Sequence, residues 1–378
     1  MKRVEVRTKA QLHKYEIRVG RELLSQLGSM VRNSAGKRAQ RVSIVSNKRV
    51  YSLYGTVAYN SLQASGFDVR PWLIGDGESH KSIKTVERLL NFFSESGLER
   101  SDSVVALGGG IVGDVAGFAA AVYLRGLPLI QVPTSLLAQV DSSVGGKTGV
   151  NLATGKNLVG SFHQPVAVIA DIETLRTLPA RELVAGWCEC VKQGAVANRK
   201  LFKQTTDFLR SSRNGDDLIS SRLEELIAAH CAFKASIVAA DEREDPGRSD
   251  RSSRRILNFG HTIAHALETV TRYRRFRHGE AVGLGMLVAG ELSKNLGLLE
   301  QTELELLREA VSLCGPLPSA QDLDQRAVID AIAHDKKRTA GRVQWVLLER
   351  IGRPRIVDGK EISAALLTKS VRDVFHRS

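Results

Sequence analysis

Apolar positions in the first half of the chain fall into short β-branched runs separated by segments of helical spacing. The runs have the length of buried strands, and turn residues bound them. These predicted strands are Val42 to Ser46, Phe67 to Ile74, Ser103 to Leu107, Leu129 to Val132 and Val166 to Ala170. Helical spacing covers Thr85 to Glu95 and Val115 to Leu124. The alternation predicts βαβ units and a mostly parallel, Rossmann-like sheet.

Helical spacing dominates the second half of the chain. The predicted helices are Leu183 to Val196, Leu223 to Ala240, Thr262 to Val270, Ala281 to Leu296 and Thr302 to Cys314. Thr302 and Glu305 have the spacing of a capping box at the start of the last of these.

The distribution of proline marks a domain boundary. Of nine prolines, only Pro246 lies between Pro179 and Pro316, and proline disrupts helix interiors. A chain of 378 residues is also long enough for two domains. We therefore predict an α/β domain over residues 1–178 and an all-α domain over residues 179–378.

The net charge of +13 is compatible with nucleic acid, with an anionic substrate or with no specific partner. Nine arginines lie between Arg243 and Arg277, either as a nucleic-acid surface or as a solvated loop and rim. Few aromatic residues interleave with them and no nucleic-acid-binding module is recognisable, which favours the solvated loop. No apolar run approaches the ~18 residues of a membrane-spanning helix. We expect no nucleic-acid or membrane partner.

The cysteine pattern favours neither disulfides nor a zinc ribbon. Cys188 and Cys190 are close in sequence, but no second pair accompanies them as a zinc ribbon would require. We predict that these two, Cys231 and Cys314 are buried free thiols. The sequence starts without an apolar signal core, so we expect a cytoplasmic protein.

A glycine loop follows the third predicted strand. Gly108-Gly109-Gly110-Ile111-Val112-Gly113-Asp114 fits the G-x-G-x-x-G pattern and opens a helix. Glycines let the backbone approach a pyrophosphate, whose charge the helix N-terminus stabilises. The acid expected about 20 residues later is missing, since Val132-Pro133-Thr134 stands there. The loop predicts a variant dinucleotide site, with a tight structural turn as the alternative.

A second glycine-rich turn runs from Gly75 to Lys81. Its two acids and its lysine could contact ribose hydroxyls and phosphate. They could equally precede a helix that Ser79 or Ser82 caps.

The segment Asp141 to Thr148 resembles a Walker A loop but departs from it. Asp141 replaces the first glycine, and a helical pattern precedes it instead of a strand. A nucleotide triphosphatase is therefore not favoured. Lys147, Lys156 and Asn157 lie in glycine-rich surroundings that leave backbone amides free, which predicts an anion site. Solvated surface lysines are the alternative.

Three histidines, His261, His265 and His278, lie within 18 residues. The first two are four residues apart and share one helix face. Two imidazoles and a third ligand can hold a catalytic divalent metal with an open coordination position. Glu189, an acid flanked by apolar residues, is the candidate carboxylate ligand. Hydrogen-bonded core histidines remain the alternative.

Five motifs occur together in one order. They are Gly108 to Asp114, Gln131 to Asn151, Gly155-Lys156-Asn157, Asn258 to Thr262 and His278 to Ala281. Together they resemble the 3-dehydroquinate synthase family of sugar phosphate cyclases. The resemblance implies a cytoplasmic homodimer of the shikimate pathway that uses NAD and Zn²⁺ or Co²⁺. It implies conversion of 3-deoxy-D-arabino-heptulosonate 7-phosphate to 3-dehydroquinate and phosphate, by transient NAD reduction, phosphate elimination, return of the hydride and aldol closure.

The resemblance also implies individual site residues. The metal ligands would be Glu189, His261 and His278, with His265 facing the substrate or supporting the ligands. The NAD contacts would be Asp76, Gly77, Glu78, Ser79, His80, Lys81, Gly110, Ile111, Val112, Gly113, Asp114, Thr134, Ser135, Lys147, Lys156, Thr174, Leu175, Arg176 and Thr177. The catalytic and substrate-binding residues would be Arg125, Asp141, Lys147, Asn157, Lys192, Lys234, Arg254, Asn258, His265 and one of Lys336 and Lys337.

The chain departs from the family pattern at three places. Ser135 stands where the family commonly has a second threonine, Cys190 stands where an aliphatic residue is usual, and the loop Asp245 to Ser253 is longer. Two alternative functions remain. One is a sugar phosphate cyclase with another substrate, and the other is a metal-dependent NAD alcohol dehydrogenase of similar build.

Overall fold

The computed structural model describes residues 14–213, 217–338 and 343–377, with side chains 334–338 outside the described set. The strands are β1 (Glu16–Gly20), β2 (Arg41–Asn47), β3 (Asp68–Ile74), β4 (Ser103–Gly108), β5 (Leu129–Pro133), β6 (Lys147–Leu152), β7 (Gly155–Phe162), β8 (Ala167–Asp171), β9 (Gln344–Arg350) and β10 (Arg353–Asp358). The helices are α1 (Leu27–Ala35), α2 (Lys48–Val50), α3 (Thr56–Ala64), α4 (Ile83–Glu95), α5 (Gly110–Val122), α6 (Ala180–Ala197), α7 (Arg199–Arg213), α8 (Ser221–Ala240), α9 (His261–Val270), α10 (His278–Asn295), α11 (Gln301–Cys314), α12 (Gln325–Arg338) and α13 (Ala364–Phe375).

The N-terminal part is built on a six-stranded parallel sheet in the order β1-β8-β5-β4-β2-β3. All five predicted strands are present and the parallel sheet is confirmed. The edge strand β1 is not among the predicted strands, because only Gly20 of its five residues is buried. The glycine loop therefore follows the fourth strand of the chain, not the third.

Strand β4 lies inside the sheet and is buried on both faces. Val105 and Leu107 pack with α1 and α3, and Val104 and Ala106 pack with α4 and α5. Burial on both faces explains why this strand is uniformly apolar in sequence. The chain moves from β2 outward to β3 and returns to place β4 on the other side of β2. This reversal puts the glycine loop at the switch point where open α/β sheets bind ligands.

Helix α5 differs from its predicted range at both ends. It begins at Gly110, in the glycine loop itself, and ends at Val122. Leu124 and Arg125 have left-handed φ values of 48° and 69°, which stop the helix before the predicted end at Leu124.

The segment that carries Lys147 and Lys156 forms the antiparallel hairpin β6–β7, not the loop with free amides that the sequence predicts. Glycine at positions 149 and 160 misled the prediction. A Cβ on Gly160 would lie 2.0 Å from the carbonyl oxygen of Thr148. Glycine here permits close approach of two backbones and does not break the strand.

The C-terminal part is helical, as predicted, and packs around the buried helix α10. It also contains the hairpin β9–β10 and the helices α7, α12 and α13, none of which is predicted. The capping-box prediction is wrong, because α11 begins at Gln301 and places Thr302 inside its first turn. All four cysteines are buried and free, as predicted. Within the described ranges, no helix combines the length and apolar character needed to cross a bilayer.

Helices α6 and α10 cross with almost no space between their backbones. A Cβ on Gly279 would lie 1.9 Å from the carbonyl oxygen of Ala185. This contact matters to the site, because α6 carries Glu189 and α10 begins with His278.

A buried histidine links α7, α8 and α6. His230 is 0 % exposed, with its Nε2 3.1 Å from Thr205 Oγ1 and its Nδ1 3.1 Å from Gln193 Oε1. The amide nitrogen of Gln193 donates to the Val140 carbonyl (2.9 Å) and faces Asp141 Oδ1 (3.4 Å). Two acceptors on that side fix the amide orientation, so the His230 Nδ1–H donates to Gln193. The histidine thus supports the backbone and the side chain near Asp141.

We predict that Gly279→Ala lowers the free energy of unfolding by about 1–3 kcal/mol, because the methyl group would overlap the α6 backbone. Urea denaturation measures the change. Gly247→Ala is the control, since its Cβ would come no closer than 3.3 Å to Asp245 Oδ1. Equal stability of the two variants would contradict the close crossing.

We predict that His230 makes the protein sensitive to acid. Burial lowers the pKa of His230 to about 3. Between about pH 6.5 and pH 3 the unfolded chain therefore binds one more proton, and stability falls by about 1.4 kcal/mol per pH unit as pH falls.

His230→Gln should remove this part of the slope. Urea denaturation at pH 7 and pH 5 measures how much the free energy of unfolding falls with pH. This decrease should be smaller in His230→Gln than in wild type by on the order of 1–2 kcal/mol. The exposed residue His376 supplies the control variant His376→Gln, which should keep the wild-type slope. An unchanged slope in His230→Gln would show that His230 does not carry this proton linkage.

Candidate functional site

Three helices bring a carboxylate and two imidazoles together. Glu189 lies within α6, His261 is the first residue of α9 and His278 is the first residue of α10. One candidate ligand atom from each lies within 4.8 Å of the others. This is the trio that the family resemblance implies. Two nitrogens and one carboxylate oxygen are a common donor set for a catalytic divalent metal.

The hydrogen bonds of the two histidines direct their free nitrogens inward. His261 Nδ1 lies 3.3 Å from the Phe259 carbonyl, which can only accept, so Nδ1 carries the proton. Burial, followed by the charge of Lys192, holds the pKa of His261 well below its usual value. His278 Nδ1 likewise faces Glu268 Oε2 at 3.4 Å. Both Nε2 atoms are thereby left with a lone pair for a metal.

Glu189 is a buried carboxylate with an incomplete set of partners. Its side chain is 0 % exposed, and it forms an ion pair with Lys192. Neither carboxylate oxygen accepts a hydrogen bond of normal geometry. His278 Nε2 is 3.7 Å from Glu189 Oε1. A buried carboxylate with spare lone pairs is costly unless a cation completes its environment.

His265 lies beside the trio without joining it. Its ring centre is 5.7 Å from that of His261 and 6.2 Å from that of His278. The side chain is exposed. Helical spacing places His261 and His265 on one face as predicted, but the second histidine of the trio comes from α10.

The glycine loop has the geometry predicted for a dinucleotide site. Helix α5 starts at Gly110, so the first backbone N–H groups, through Val112, lack intrahelical acceptors. A Cβ on Gly109 would lie 3.4 Å from Ser135 Oγ, and one on Gly110 would lie 3.1 Å from Ser142 Oγ. Bare backbone and two hydroxyl groups therefore line this edge of the sheet.

The turn after β3 faces the start of α5. Lys81, 6 % exposed, forms an ion pair with Asp114, and its Nζ lies 2.5 Å from Asn157 Oδ1. Burial raises the pKa of Asp114 against the opposing charge of Lys81. Ser82, not Ser79, caps α4 through the Thr85 N–H. The turn therefore precedes a helix that Ser82 caps, and it also presents polar groups to the glycine loop. Contact of this turn with ribose or phosphate stays a prediction.

Two further predicted cofactor segments follow the ends of β5 and β8. Thr134 is buried and its N–H donates to the Gly108 carbonyl (3.1 Å), so it lies against the glycine loop. Thr174 and Leu175 are also buried. The Thr174 hydroxyl donates to the Asp171 carbonyl (2.7 Å).

Asp141 and Lys234 form one of the buried ion pairs near the metal trio. Lys234 Nζ lies 2.7 Å from Asp141 Oδ1 and 2.6 Å from the Asp141 carbonyl oxygen. Burial alone would raise the pKa of Asp141, but Lys234 and then Lys192 lower it well below its usual value. Burial lowers the pKa of Lys234 despite Asp141.

Lys147 and Asn258 converge on Glu244. Lys147 forms an ion pair with Glu244, and Asn258 Nδ2 donates to Glu244 Oε1 (3.0 Å). Burial opposes ionisation of Glu244, but Lys147 outweighs it and lowers the pKa of this carboxyl group. Glu244 was not among the predicted site residues, although its position just before the long arginine-rich loop was visible in the sequence.

Arg254 is held by backbone oxygens at the far end of that loop. It is 3 % exposed, and its Nη1 lies 3.0 Å from the Gly145 carbonyl and 2.7 Å from the Glu242 carbonyl. The Asp241 carboxylate accepts from the backbone N–H groups of Asp245 and Arg254, both at 2.8 Å. This carboxylate therefore joins the two ends of the loop.

Arg248 belongs to the inside of the same loop. Its Nε lies 2.7 Å from Asp250 Oδ2 and its Nη2 lies 2.6 Å from Ser252 Oγ. Arg248 therefore braces the loop through bonds to neighbouring residues of the same segment, which fits a loop role for this member of the arginine cluster.

Arg125 is not brought to the trio. Arg125 is exposed and follows the C-terminal end of α5, whereas the glycine loop forms the opposite end of that helix. Lys336 and Lys337 lie on α12, but their side chains fall outside the described residues.

Glu268 is a further site residue that carries no sequence motif. It is 3 % exposed and contacts both His278 and Lys156. Burial opposes its ionisation, but His278 and Lys156 hold the pKa of Glu268 at about 2. Its position three residues after His265 is the one signal the sequence offered.

Sequence comparison covers most of the chain. The family model described as 3-dehydroquinate synthase N-terminal matches residues 72–185, and the one described as 3-dehydroquinate synthase C-terminal matches residues 186–338. The 3-dehydroquinate synthase of Pelotomaculum thermopropionicum is 43 % identical over 349 residues, 91 % of this chain and 90 % of the relative. That of Nostoc punctiforme is 41 % identical over 350 residues, 91 % of this chain and 93 % of the relative.

Solved structures of similar build include two sugar phosphate cyclases and a dehydrogenase. The 2-epi-5-epi-valiolone synthase of Streptomyces hygroscopicus, with NAD⁺ and Zn²⁺ bound, aligns with a TM-score of 0.86 and 25 % identity over 99 % of this chain and 100 % of that one. A 2-deoxy-scyllo-inosose synthase complexed with carbaglucose-6-phosphate, NAD⁺ and Co²⁺ aligns with a TM-score of 0.78 and 26 % identity over 94 % of this chain and 96 % of that one. Glycerol dehydrogenase from Schizosaccharomyces pombe shares the fold alone, with a TM-score of 0.67 and 15 % identity over 98 % of this chain and 91 % of that one. The matched domains and the relatives above 40 % identity establish that this chain belongs to the 3-dehydroquinate synthase family.

Proposed function

We propose that the protein is a carbon–oxygen lyase that converts 3-deoxy-D-arabino-heptulosonate 7-phosphate to 3-dehydroquinate and phosphate. The observation that carries the proposal is the trio of Glu189, His261 and His278 beside buried lysines, in a chain that also has a glycine loop at the sheet switch point. A phosphorylated, carboxylated substrate needs several cationic groups, which an alcohol dehydrogenase acting on a neutral alcohol does not.

A divalent metal, Zn²⁺ or Co²⁺, fits the trio. Each of the two Nε2 atoms has a lone pair, and neither buried Glu189 oxygen accepts a hydrogen bond of normal geometry. NAD fits the glycine loop, because a side chain at Gly109 or Gly110 would fill the space in front of the Ser135 and Ser142 hydroxyls. When bound, NAD accepts and returns a hydride, and the metal lowers the pKa of a substrate hydroxyl.

The protein residues bind and orient the substrate around these groups. Lys147, Lys192 and Lys234 each hold an acidic partner, Glu244, Glu189 and Asp141 respectively. The ammonium groups are therefore fixed in place and can bind the phosphate and carboxylate of the substrate without being immobilised afresh. Fixed cations accelerate a step most where negative charge grows during it, as on a departing phosphate.

We propose a homodimer for the assembled enzyme. Support comes from exposed apolar side chains on the hairpin β6–β7, namely Leu152, Leu158 and Phe162. Exposed apolar clusters commonly mark association surfaces. The four unpaired cysteines fit a reducing compartment, and we propose the cytoplasm as its location.

Phosphate release from the heptulosonate phosphate tests the function. Chelator-treated enzyme receives Zn²⁺ and catalytic NAD, and phosphate and nicotinamide absorbance are followed together. We expect metal-dependent phosphate in large excess over NAD, with no lasting NADH signal. Absence of phosphate would contradict this substrate and favour another sugar phosphate. Stoichiometric NADH from a neutral alcohol would favour the dehydrogenase.

His261→Ala should abolish metal binding by removing one of three ligands. Metal analysis after dialysis against Zn²⁺ should show less than stoichiometric zinc, and phosphate release should be lost. His265→Ala is the matched control, because His265 lies beside the trio and is expected to leave zinc bound. Stoichiometric zinc with full turnover in His261→Ala would refute the ligand assignment.

A further inference from the structure

Glu268 is a buried carboxylate between the metal trio and the cofactor side of the cleft. It lies on α9, 3 % exposed. Its Oε2 lies 3.4 Å from His278 Nδ1 and its Oε1 lies 3.1 Å from Lys156 Nζ. One side chain thus contacts a metal-ligand candidate and a residue of the hairpin β6–β7.

The contact with His278 sets the direction of that imidazole. A carboxylate accepts from Nδ1–H, so the proton stays on Nδ1 and the lone pair stays on Nε2. Nε2 then points to Glu189 Oε1 at 3.7 Å. Carboxylates behind metal-bound histidines orient the ring and raise its basicity, and their loss commonly weakens metal binding about 10- to 100-fold.

The contact with Lys156 ties the same carboxylate to the cofactor side. Lys156 Nζ also lies 3.8 Å from Glu78 Oε1 and 4.2 Å from the ring centre of Tyr273. Glu78 belongs to the turn after β3, which faces the glycine loop. Lys156 is therefore held between two acids and an aromatic face, and only Glu268 reaches the trio.

The turn after α9 is strained in a way that supports this arrangement. Arg272 and Tyr273 have consecutive left-handed φ values of 51° and 58°, which non-glycine residues seldom adopt. The Tyr273 N–H donates to the Glu268 carbonyl at 2.7 Å. The turn folds the Tyr273 ring back over Lys156. Strain of this kind persists where the surroundings require one conformation.

We propose that Glu268 is a positioning residue that orients His278 toward the metal and holds Lys156 at the nucleotide, so that both affinities depend on one carboxylate. The inference rests on the proposed function only in that the trio binds a metal and the glycine loop binds NAD. It adds a residue that acts through its neighbours and does not touch the substrate.

Glu268→Gln in the full chain is the direct test, because it keeps the shape and removes the charge. Zinc affinity of the metal-free protein, measured by chelator competition without substrate, should fall about 10- to 100-fold. The absorption spectrum of the Co²⁺-loaded variant should also differ from wild type, since His278 is no longer held. NAD affinity, measured by titration calorimetry, should fall several-fold.

Two other variants separate positioning from general damage. Glu291→Gln removes another buried, ion-paired glutamate, which is 2 % exposed and pairs with Arg308. It should keep wild-type zinc and NAD affinity. Lys156→Met should weaken NAD binding alone, because the Glu268–His278 contact survives.

Wild-type zinc affinity in folded Glu268→Gln would overturn the proposal, and so would an equal loss in Glu291→Gln. If Glu268→Gln does not fold, Glu268→Asp is measured instead, because a shorter side chain cannot reach both partners. Wild-type zinc affinity in that variant would be equally contradictory. Absence of zinc binding by the wild-type protein would refute the proposed metal site itself, and this inference with it.

Discussion

A carboxylate inside a helical core is the constraint on which the rest of the site depends. Glu189 is fully buried on α6, and an ionised carboxylate without compensation is expensive there. Lys192, one turn further along α6, supplies part of that compensation, and a cation held together with His261 and His278 would supply the rest. His261 and His278 must lie close to Glu189 for this, so the starts of α9 and α10 have to approach α6. That approach is possible only because Gly279 has no side chain. The packing of α10 on α6 and the assembly of the metal trio therefore both require glycine at this position.

The cations around the trio are held in ion pairs with acids of the same chain. Lys147 pairs with Glu244, Lys234 with Asp141, and Lys156 with Glu268. Such pairs allow charged groups to lie inside a partly desolvated cleft. Because the side chains are already held, they lose little further conformational entropy when a ligand binds. Under the proposed function, an incoming anion would exchange partners with a carboxylate instead of gathering mobile side chains from solvent. The cleft is thus preorganised by acids that oppose its net charge.

Sequence patterns predicted the parts of the molecule whose environment is uniform. Strand β4 is buried on both faces and reads as a continuous apolar run, and the family motifs implied the metal trio. The edge strand β1 and the hairpin β6–β7 escaped prediction. In β1 only one residue is fully buried, so no apolar run marks this strand. The glycines of the hairpin allow two backbones to approach closely, which the local sequence pattern does not reveal.

Residues defined only by their neighbours escaped prediction as well. Glu268 is one glutamate among many until the fold places it between His278 and Lys156. The start of α11 was misplaced because Thr302 and Glu305 have capping spacing, whereas the preceding chain already enters the helix at Gln301. His265 shares a helix face with His261, as periodicity requires, and it was the family resemblance, not the spacing, that implied His278 as the second histidine of the trio.

The arginine-rich loop is anchored at both ends on the Asp241 carboxylate. The position of Arg254 therefore does not depend on the length of the loop before it. Both ends of the loop bond to this one side chain, and Arg248 fills the interior. Residues can therefore be gained or lost between the two anchor points while the guanidinium group stays on the Gly145 carbonyl. In evolutionary terms, the loop is a place where the family can vary in length, and acquire new surface, without altering the cleft.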